Sequence, residues 1–268
     1  MIDTHAHVFH RGLSLSPDRR YTPNYDAWSE EYISLLDRHG VANGVLVPVS
    51  ILGANNDYLV ETVCASNGRL KGLVTLDPLR DVEKIAAWDS AGICGIRLNL
   101  KGLPLPDLRS QSWREALATC RKHGWLVQVN DAAQRLSQTV PSLLDAGLPV
   151  VIDHFGNPDR LKGTADPGFR YLCELGATAR VWVKMSAPYR IGYAQAAQAA
   201  SMLRCAYAPE QLLWASDWPF TGYEASGLDY GKTCAFMRDW VNDDADRHQI
   251  MHLSAQRLFG FVPQIVAS

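Results

Sequence analysis

Short apolar runs rich in β-branched residues recur along the chain, at Met1 to Thr4, Gly44 to Val49, Gly72 to Leu76, Ile93 to Leu98, Trp125 to Val129, Val150 to Asp153, Val181 to Lys184 and Leu212 to Ser216. Runs of this length, bounded by turn residues, predict buried strands. Stretches with helical spacing lie between most of them: Asp26 to His39, Asn56 to Ala65, Val82 to Ala91, Ser112 to His123 and Arg135 to Asp145. Gly40, Gly68, Gly92, Gly124 and Gly147 each follow such a stretch, where a helix ends most easily on a residue that tolerates positive φ. Strand, helix, glycine, strand is the βα unit, and eight of them in 268 residues leave about 33 residues per unit. That spacing suits a (β/α)8 barrel better than an open doubly wound sheet of five or six strands. The expectation is an α/β protein with a single (β/α)8 TIM-barrel domain over residues 1–268. No repeat or linker divides the chain, no GxGxxG follows the first strand, and no GxxxxGK[ST] occurs, so dinucleotide and P-loop readings lose their support.

Composition narrows the partners. With 47% hydrophobic and 20% charged residues the chain can bury a large core. A net charge of -2 gives no long-range pull on nucleic acid or an anionic membrane, which leaves a small anionic ligand as the partner that local cations could serve. Six cysteines without a CxxC pair read as reduced, mostly buried thiols of a cytoplasmic protein. No run reaches the ~20 apolar residues of a membrane span, and the first residues belong to a strand that carries chemistry rather than to a leader. The chain is therefore expected to be cytoplasmic and whole, with a homodimer as the ordinary assembly of a soluble enzyme. The irregular loop Arg11 to Tyr25 is the longest insertion after a strand and is expected over the active rim as a lid or substrate clamp.

Polar groups at the carboxyl ends of barrel strands serve function, whereas those at the opposite ends serve stability. His5 and His7 share one face of the first strand because alternate residues do. Strand two reaches Ser50, strand four ends in Arg97 and Asn99, and strand five carries Gln128 and Asn130. Strand six delivers Asp153 and His154, strand seven Lys184, Ser186, Tyr189 and Arg190, and strand eight Ser216 and Asp217. If the first and last strands are neighbours, Asp217 meets the two histidines at one rim. Each residue has a plainer alternative. His154 could be satisfied by backbone carbonyls, Arg97 could pair with a carboxylate such as Asp77, and Lys184 could cap a strand. His10, His39, His123, His248 and His252 read as solvated. Three imidazoles and a carboxylate support two chemistries. Around a divalent ion they would acidify a bound water. Without one, Asp217 would act as general base while the histidines and an arginine hold the carbonyl oxygen as charge develops. Either route is hydrolytic, and spacing alone does not choose between them.

Asp3-x-His5-x-His7, His154-Phe155-Gly156, Met185-Ser186-Ala187-Pro188-Tyr189-Arg190 and Trp214-x-Ser216-Asp217-Trp218-Pro219 together resemble the amidohydrolase superfamily. Within it they are similar to the branch of 2-pyrone-4,6-dicarboxylate lactonases and related sugar-lactone hydrolases, from Ile2 to about Phe261. The resemblance implies a distorted (β/α)8 barrel of the metal-dependent hydrolase type that opens a carboxylated lactone. It implies that His5, His7 and His154 polarise the lactone carbonyl and Asp217 activates water. Arg97 and Arg190 would hold substrate carboxylates, with Tyr21 (in Arg20-Tyr21-Thr22-Pro23), Ser50, Tyr189, Gln128 and Asn157 as further substrate contacts. Relatives in this branch turn over without metal. Gln128 stands where binuclear members carry a histidine and strand four offers no lysine bridge, so no cofactor is required on this reading. A single divalent ion such as zinc would sit on His5, His7, His154 and Asp217.

Departures point away from the pyrone dicarboxylate itself. Asn157 stands where those lactonases place an arginine, an apolar and proline-rich run from Leu103 to Pro106 replaces another, and Phe220 follows the Trp218-Pro219 pair where a histidine is usual. Two lost guanidinium groups remove strong bidentate holds on carboxylates. A monocarboxylated or sugar-acid lactone is the expected substrate, with Lys101 or Lys162 as substitutes for the missing charge. The competing readings are a lactone isomerase of the galactarolactone type, a metal-dependent decarboxylase of the same superfamily, and a binding barrel without catalysis.

Overall fold

A computed structural model describes residues 1–19 and 21–262. Eight strands follow one another round a single sheet in sequence order: β1 (Ile2–Ala6), β2 (Asn43–Leu46), β3 (Leu70–Val74), β4 (Ile93–Asn99), β5 (Leu126–Asn130), β6 (Val150–Ile152), β7 (Val181–Met185) and β8 (Leu212–Trp214). All seven consecutive pairings are parallel. The helices that return the chain between strands include α1 (Ser29–Arg38), α2 (Asp57–Ala65), α3 (Ile85–Ser90), α4 (Gln111–Lys122), α5 (Leu136–Asp145), α6 (Pro167–Glu174), α7 (Pro188–Ile191) and α8 (Tyr193–Ala206). After β8 come α9 (Tyr230–Trp240), α10 (Asp244–His248) and α11 (Ser254–Phe259). This is the (β/α)8 barrel expected from the strand and glycine spacing. The five glycines named above all take positive φ, between 63° and 98°. All six cysteines are free. No helix among the described residues is long and apolar enough to cross a membrane.

The seam between β8 and β1 is closed by side chains more than by a backbone ladder. Asp217 N donates to His5 O at 3.0 Å and His7 N to Trp218 O at 2.9 Å. Thr4 Oγ1 donates to Trp214 O at 2.6 Å. The buried Asp3 carboxylate receives Ser216 N and Ser216 Oγ at 2.9 and 2.6 Å, together with the hydroxyls of Tyr32 on α1 and Tyr230 on α9. A Cβ at Gly44 would collide with the Tyr32 hydroxyl, so glycine in β2 lets that hydroxyl reach the seam. The register of β1 on β2 shifts between Asp3 and Ala6, and such a bulge re-aims the side chains it carries, here those around His5.

The strand ends differ from the sequence expectation for a physical reason. β2 stops at Leu46 and β8 at Trp214, short of the expected Val49 and Ser216, because the chain beyond them turns its polar groups to the site. Val47 O accepts from the His7 ring, and Ser216 N donates across the seam to the Asp3 carboxylate.

The barrel interior changes character along its axis. Ile2, Val45, Val47, Leu73, Leu126, Val151 and Leu213 fill the lower part together with Ala255 and Phe259 from α11 and with Phe261, which plugs that end with apolar side chains. On β5, Leu126 belongs to this plug, Gln128 lies one repeat higher and Asn130 at the rim, so one strand face climbs from apolar to polar. The interior above the plug is therefore where buried polar chemistry is concentrated.

Candidate active site

Asp217 sits just after β8 at φ 62°, a left-handed conformation uncommon outside glycine. His154, Phe155 and Asn157 after β6, Ala187 after β7 and Phe220 after β8 share that conformation, so backbone strain gathers at one end of the barrel. There the structure brings together the four residues expected to carry the chemistry. Asp217 Oδ1 lies 3.6 Å from His5 Nε2, 3.9 Å from His7 Nε2 and 3.7 Å from His154 Nε2. All four side chains are buried.

The two carboxylate oxygens of Asp217 have different surroundings. Oδ2 is clamped by the Tyr189 hydroxyl and by Arg190, whose Nε and Nη2 lie at 2.9 and 2.7 Å. Oδ1 has no hydrogen-bond partner among the described residues and faces the imidazoles. Burial on its own would raise this carboxyl, but Arg190 and the three histidines outweigh it and hold it well below the usual carboxylate range. Burial, reinforced by nearby Arg97, lowers His7 to about 3. Burial likewise lowers His154 to about 4, against the pull of Asp217, and takes His5 well below its ordinary value. At neutral pH the centre therefore holds one carboxylate and three neutral imidazoles.

The partners of the far ring nitrogens fix the tautomers. His7 Nδ1 lies 2.7 Å from Val47 O, which can only accept, so Nδ1 carries the proton and Nε2 offers a lone pair. His5 Nδ1 lies 3.2 Å from Asp153 Oδ1, which accepts, and 3.3 and 3.4 Å from the donors Lys184 Nζ and Gln128 Nε2; the contact with the carboxylate is the shortest and leaves the proton on Nδ1. His154 Nδ1 instead lies 2.9 Å from Ser186 Oγ, a hydroxyl able to donate or accept. When Ser186 donates, His154 presents an Nε2–H to the cavity; when it accepts, His154 presents a lone pair. Two imidazole lone pairs and Asp217 Oδ1 directed at one another, with His5 Nε2 and His7 Nε2 3.3 Å apart, form a donor set that fits one divalent ion.

Beneath this centre lies a dense ionic layer. Asp153, fully buried, accepts from His5 through Oδ1 and from Arg97 Nη2 through Oδ2 at 2.9 Å. Arg97 also donates Nη1 to Pro48 O at 2.7 Å, which leaves its buried Nε without a partner among the described residues. The sequence alternative of an Arg97–Asp77 pair is not what forms; Asp77 sits at its own turn with Arg80. Lys184 is wholly buried and does not cap a strand: Nζ donates to Thr4 O at 2.7 Å and Gln128 Oε1 at 2.5 Å, and lies 3.6 Å from Asp153 Oδ1. Burial draws this ammonium down to about 8, resisted chiefly by Asp153.

Above the centre opens a cavity of about 260 Å³ whose wall includes His7, Tyr21, Ser50, Arg97, Asn157 and Arg190. A second lobe of about 290 Å³ joins it at Val49, Ser50, Arg97 and Asn99. Two expected substrate contacts do not line this cavity: Gln128 is engaged with Lys184 beneath it, and the Tyr189 hydroxyl is engaged with Asp217. Lys101 lines the cavity and Lys162 does not. The loop between β1 and α1 crosses the rim, paired at Phe9 and Ala27, bonded from Ser16 N to Ile51 O and from the Tyr25 hydroxyl to Glu224. Arg20 in that loop lies outside the described residues.

Asp153 and Ser186 stood among the polar strand ends without an assigned role, and Thr221 was not singled out. A carboxylate directly before His154 at the end of an apolar strand was the available signal for Asp153. Thr221 carries no signal of its own, since only the fold puts it in the cavity wall.

Comparison with known proteins identifies the family. A 4-sulfomuconolactone hydrolase from Rhizobium radiobacter is 28% identical over 97% of this chain and 90% of its own. A solved structure described as a putative 2-pyrone-4,6-dicarboxylic acid hydrolase from Pseudomonas putida is 38% identical, covers 98% of both chains and superposes with a TM-score of 0.90. Another, described as a probable hydrolase of the same acid from Acinetobacter baumannii with citric acid bound, is 34% identical over 97% of this chain and 99% of that one, with a TM-score of 0.93. The amidohydrolase family model matches residues 2–261, and the chain belongs to the amidohydrolase family.

Proposed function

We propose that this chain, acting as one barrel domain, hydrolyses a small carboxylated lactone. The reading rests on Asp217, whose Oδ2 is fixed by Tyr189 and Arg190 while its buried, unpartnered Oδ1 faces three imidazoles at the base of a polar cavity. The relatives named above act on lactones bearing carboxylate or sulfonate groups, which supports the same class here.

In this reading a water held against Oδ1 loses a proton to Asp217 as its oxygen attacks the lactone carbonyl. His154 Nε2–H, set by the Ser186 hydroxyl, donates to the carbonyl oxygen as charge develops there, and the buried Arg97 Nε adds a second donor. The ring C–O bond then breaks, and the proton on Asp217 passes to the departing oxygen, giving a hydroxy or oxo acid. Arg190 couples binding to this step. A substrate carboxylate that shares its guanidinium weakens its hold on Oδ2, and Asp217 gains basicity as the ligand arrives. All these roles are supplied by the chain, so turnover in this reading does not require an ion. His5, His7 and Asp217 would hold a single divalent ion, with His154 beside them; when bound, the ion would supply Lewis acidity and an acidified water.

The test is a screen of carboxylated lactones with a pH indicator against wild type and Asp217→Asn. Wild type is expected to release a proton on ring opening, with kcat ~10³-fold lower in the variant. Equal rates would remove Asp217 as the base, and a product of unchanged mass would favour isomerisation.

A further inference from the structure

Three amides stand in the cavity wall that also holds Tyr21 and Thr221. β4 and β5 pair in register, Arg97 against Gln128 and Asn99 against Asn130, so the two asparagines stand side by side about 7 Å above the ionic layer. Asn157, from the turn after β6, completes the row. Its Nδ2 donates to Asn130 Oδ1 at 3.0 Å and to Asp131 O at 3.2 Å, and Asn130 Nδ2 donates to Asn99 Oδ1 at 2.9 Å. The backbone carbonyl of Asp131 can only accept, so it fixes the direction of the whole chain. Asn157 must donate, Asn130 must receive on oxygen and pass on its NH2, and Asn99 must receive on Oδ1. What Asn99 then presents to the cavity is its own NH2, polarised by the relay behind it. In the same wall the buried Tyr21 hydroxyl lies beside Thr221 and Tyr25.

These groups are uncharged. Of the cations in the wall, Arg97 has both terminal nitrogens engaged by Pro48 and Asp153, Lys101 acts on Asp131, and Arg190 already grips Asp217. Arg190 is the guanidinium beside Asp217 that can share a substrate carboxylate. A second carboxylate lodged against Asn99 would lose hydration without a guanidinium fork to replace it, whereas a hydroxyl or carbonyl oxygen would lose little and gain a donor. We propose that Asn99 is a specificity-determining residue that reads an uncharged oxygen of the substrate, so that the ligand is a lactone with one carboxylate and at least one free hydroxyl or carbonyl group. This rests on the lactone-hydrolase reading above.

The experiment compares two lactones that carry one carboxylate each: an aldaric acid monolactone, which keeps free hydroxyls, and butyrolactone-γ-carboxylate, which has none. Wild type is expected to favour the hydroxylated lactone by at least about tenfold in kcat/KM, the equivalent of one good hydrogen bond. Asn99→Ala is expected to abolish that preference, mainly through KM. Asn157→Leu, which frees the relay from the Asp131 carbonyl while leaving Asn99 in place, is expected to reduce it. A preference unchanged in both variants, or a wild type that favours 2-pyrone-4,6-dicarboxylate over the hydroxylated monocarboxylate, overturns the proposal. Calorimetric binding of the two ring-opened acids to wild type and Asn99→Ala separates the two readings. A hydroxyl-dependent difference in binding without lactone turnover refutes hydrolysis and keeps the Asn99 contact. Turnover without any such difference refutes the contact alone, and neither turnover nor binding refutes both.

Discussion

Two polar layers stacked inside the barrel are built on opposite terms. The lower one, Asp153, His5, Arg97, Lys184 and Gln128, is fully buried or nearly so, and apart from Arg97 Nε its charged groups are matched to one another and to backbone oxygens. The upper one, Asn99, Asn130 and Asn157 in a wall shared with Tyr21 and Thr221, is built from neutral side chains and opens to the cavity. A buried charge must be paired where it stands, so the lower layer is fixed by the protein and can orient His5 but can hardly adapt. Neutral amides tolerate water until a ligand replaces it, so the upper layer is free to discriminate. On the function proposed above, rate and stability belong to the floor and selectivity to the rim.

That division can be broken most directly at Asp153. Asp153→Asn leaves Arg97 and Lys184 without their common carboxylate, and breaking a buried pair in this way costs about 3–5 kcal/mol. Urea unfolding is expected to show a loss of that size, with kcat ~10–100-fold lower because His5 loses the partner that sets its tautomer. Asn99→Ala in the same assay is expected to shift stability by less than about 1 kcal/mol. Equal stability losses at both positions would erase the distinction between floor and rim.

Arg190 stands between the layers, on Asp217 below and in the cavity wall above. Arg190→Met is expected to weaken the acid substrate by about tenfold more than its methyl ester in kcat/KM, the scale of one charge-assisted contact. A uniform loss on both would make Arg190 a clamp for Asp217 and nothing else.

The smallest effect expected is at Ser186. If its hydroxyl sets the His154 donor, protein stripped of metal and checked by elemental analysis keeps its turnover, and Ser186→Ala lowers kcat by roughly tenfold. Loss of activity on stripping, restored by Zn²⁺, would transfer carbonyl polarisation from His154 to an ion on the same residues.

Much of this arrangement was legible along the chain. His5, His7, His154 and Asp217 were chosen because polar residues ending apolar strands have few structural reasons to be there, and all four meet within 4 Å of one carboxylate oxygen. What was not legible was whom the cations serve. The alternative partner of Arg97 was Asp77, and Arg97 pairs instead with Asp153, 56 residues further on, while still lining the cavity. Gln128 and Tyr189 were expected in the cavity, and each is engaged behind the residues that line it.

The sequence by itself determined the barrel, the end that carries chemistry and the four residues at its centre, because strand periodicity, glycine placement and polar strand ends are local signals that survive without knowledge of neighbours. Only the tertiary structure decided the tautomers, the pairing of the buried charges and the direction of the asparagine relay. Those depend on strand register and on single backbone carbonyls, such as those of Val47 and Asp131, whose positions are set by the closed sheet rather than by the residues beside them.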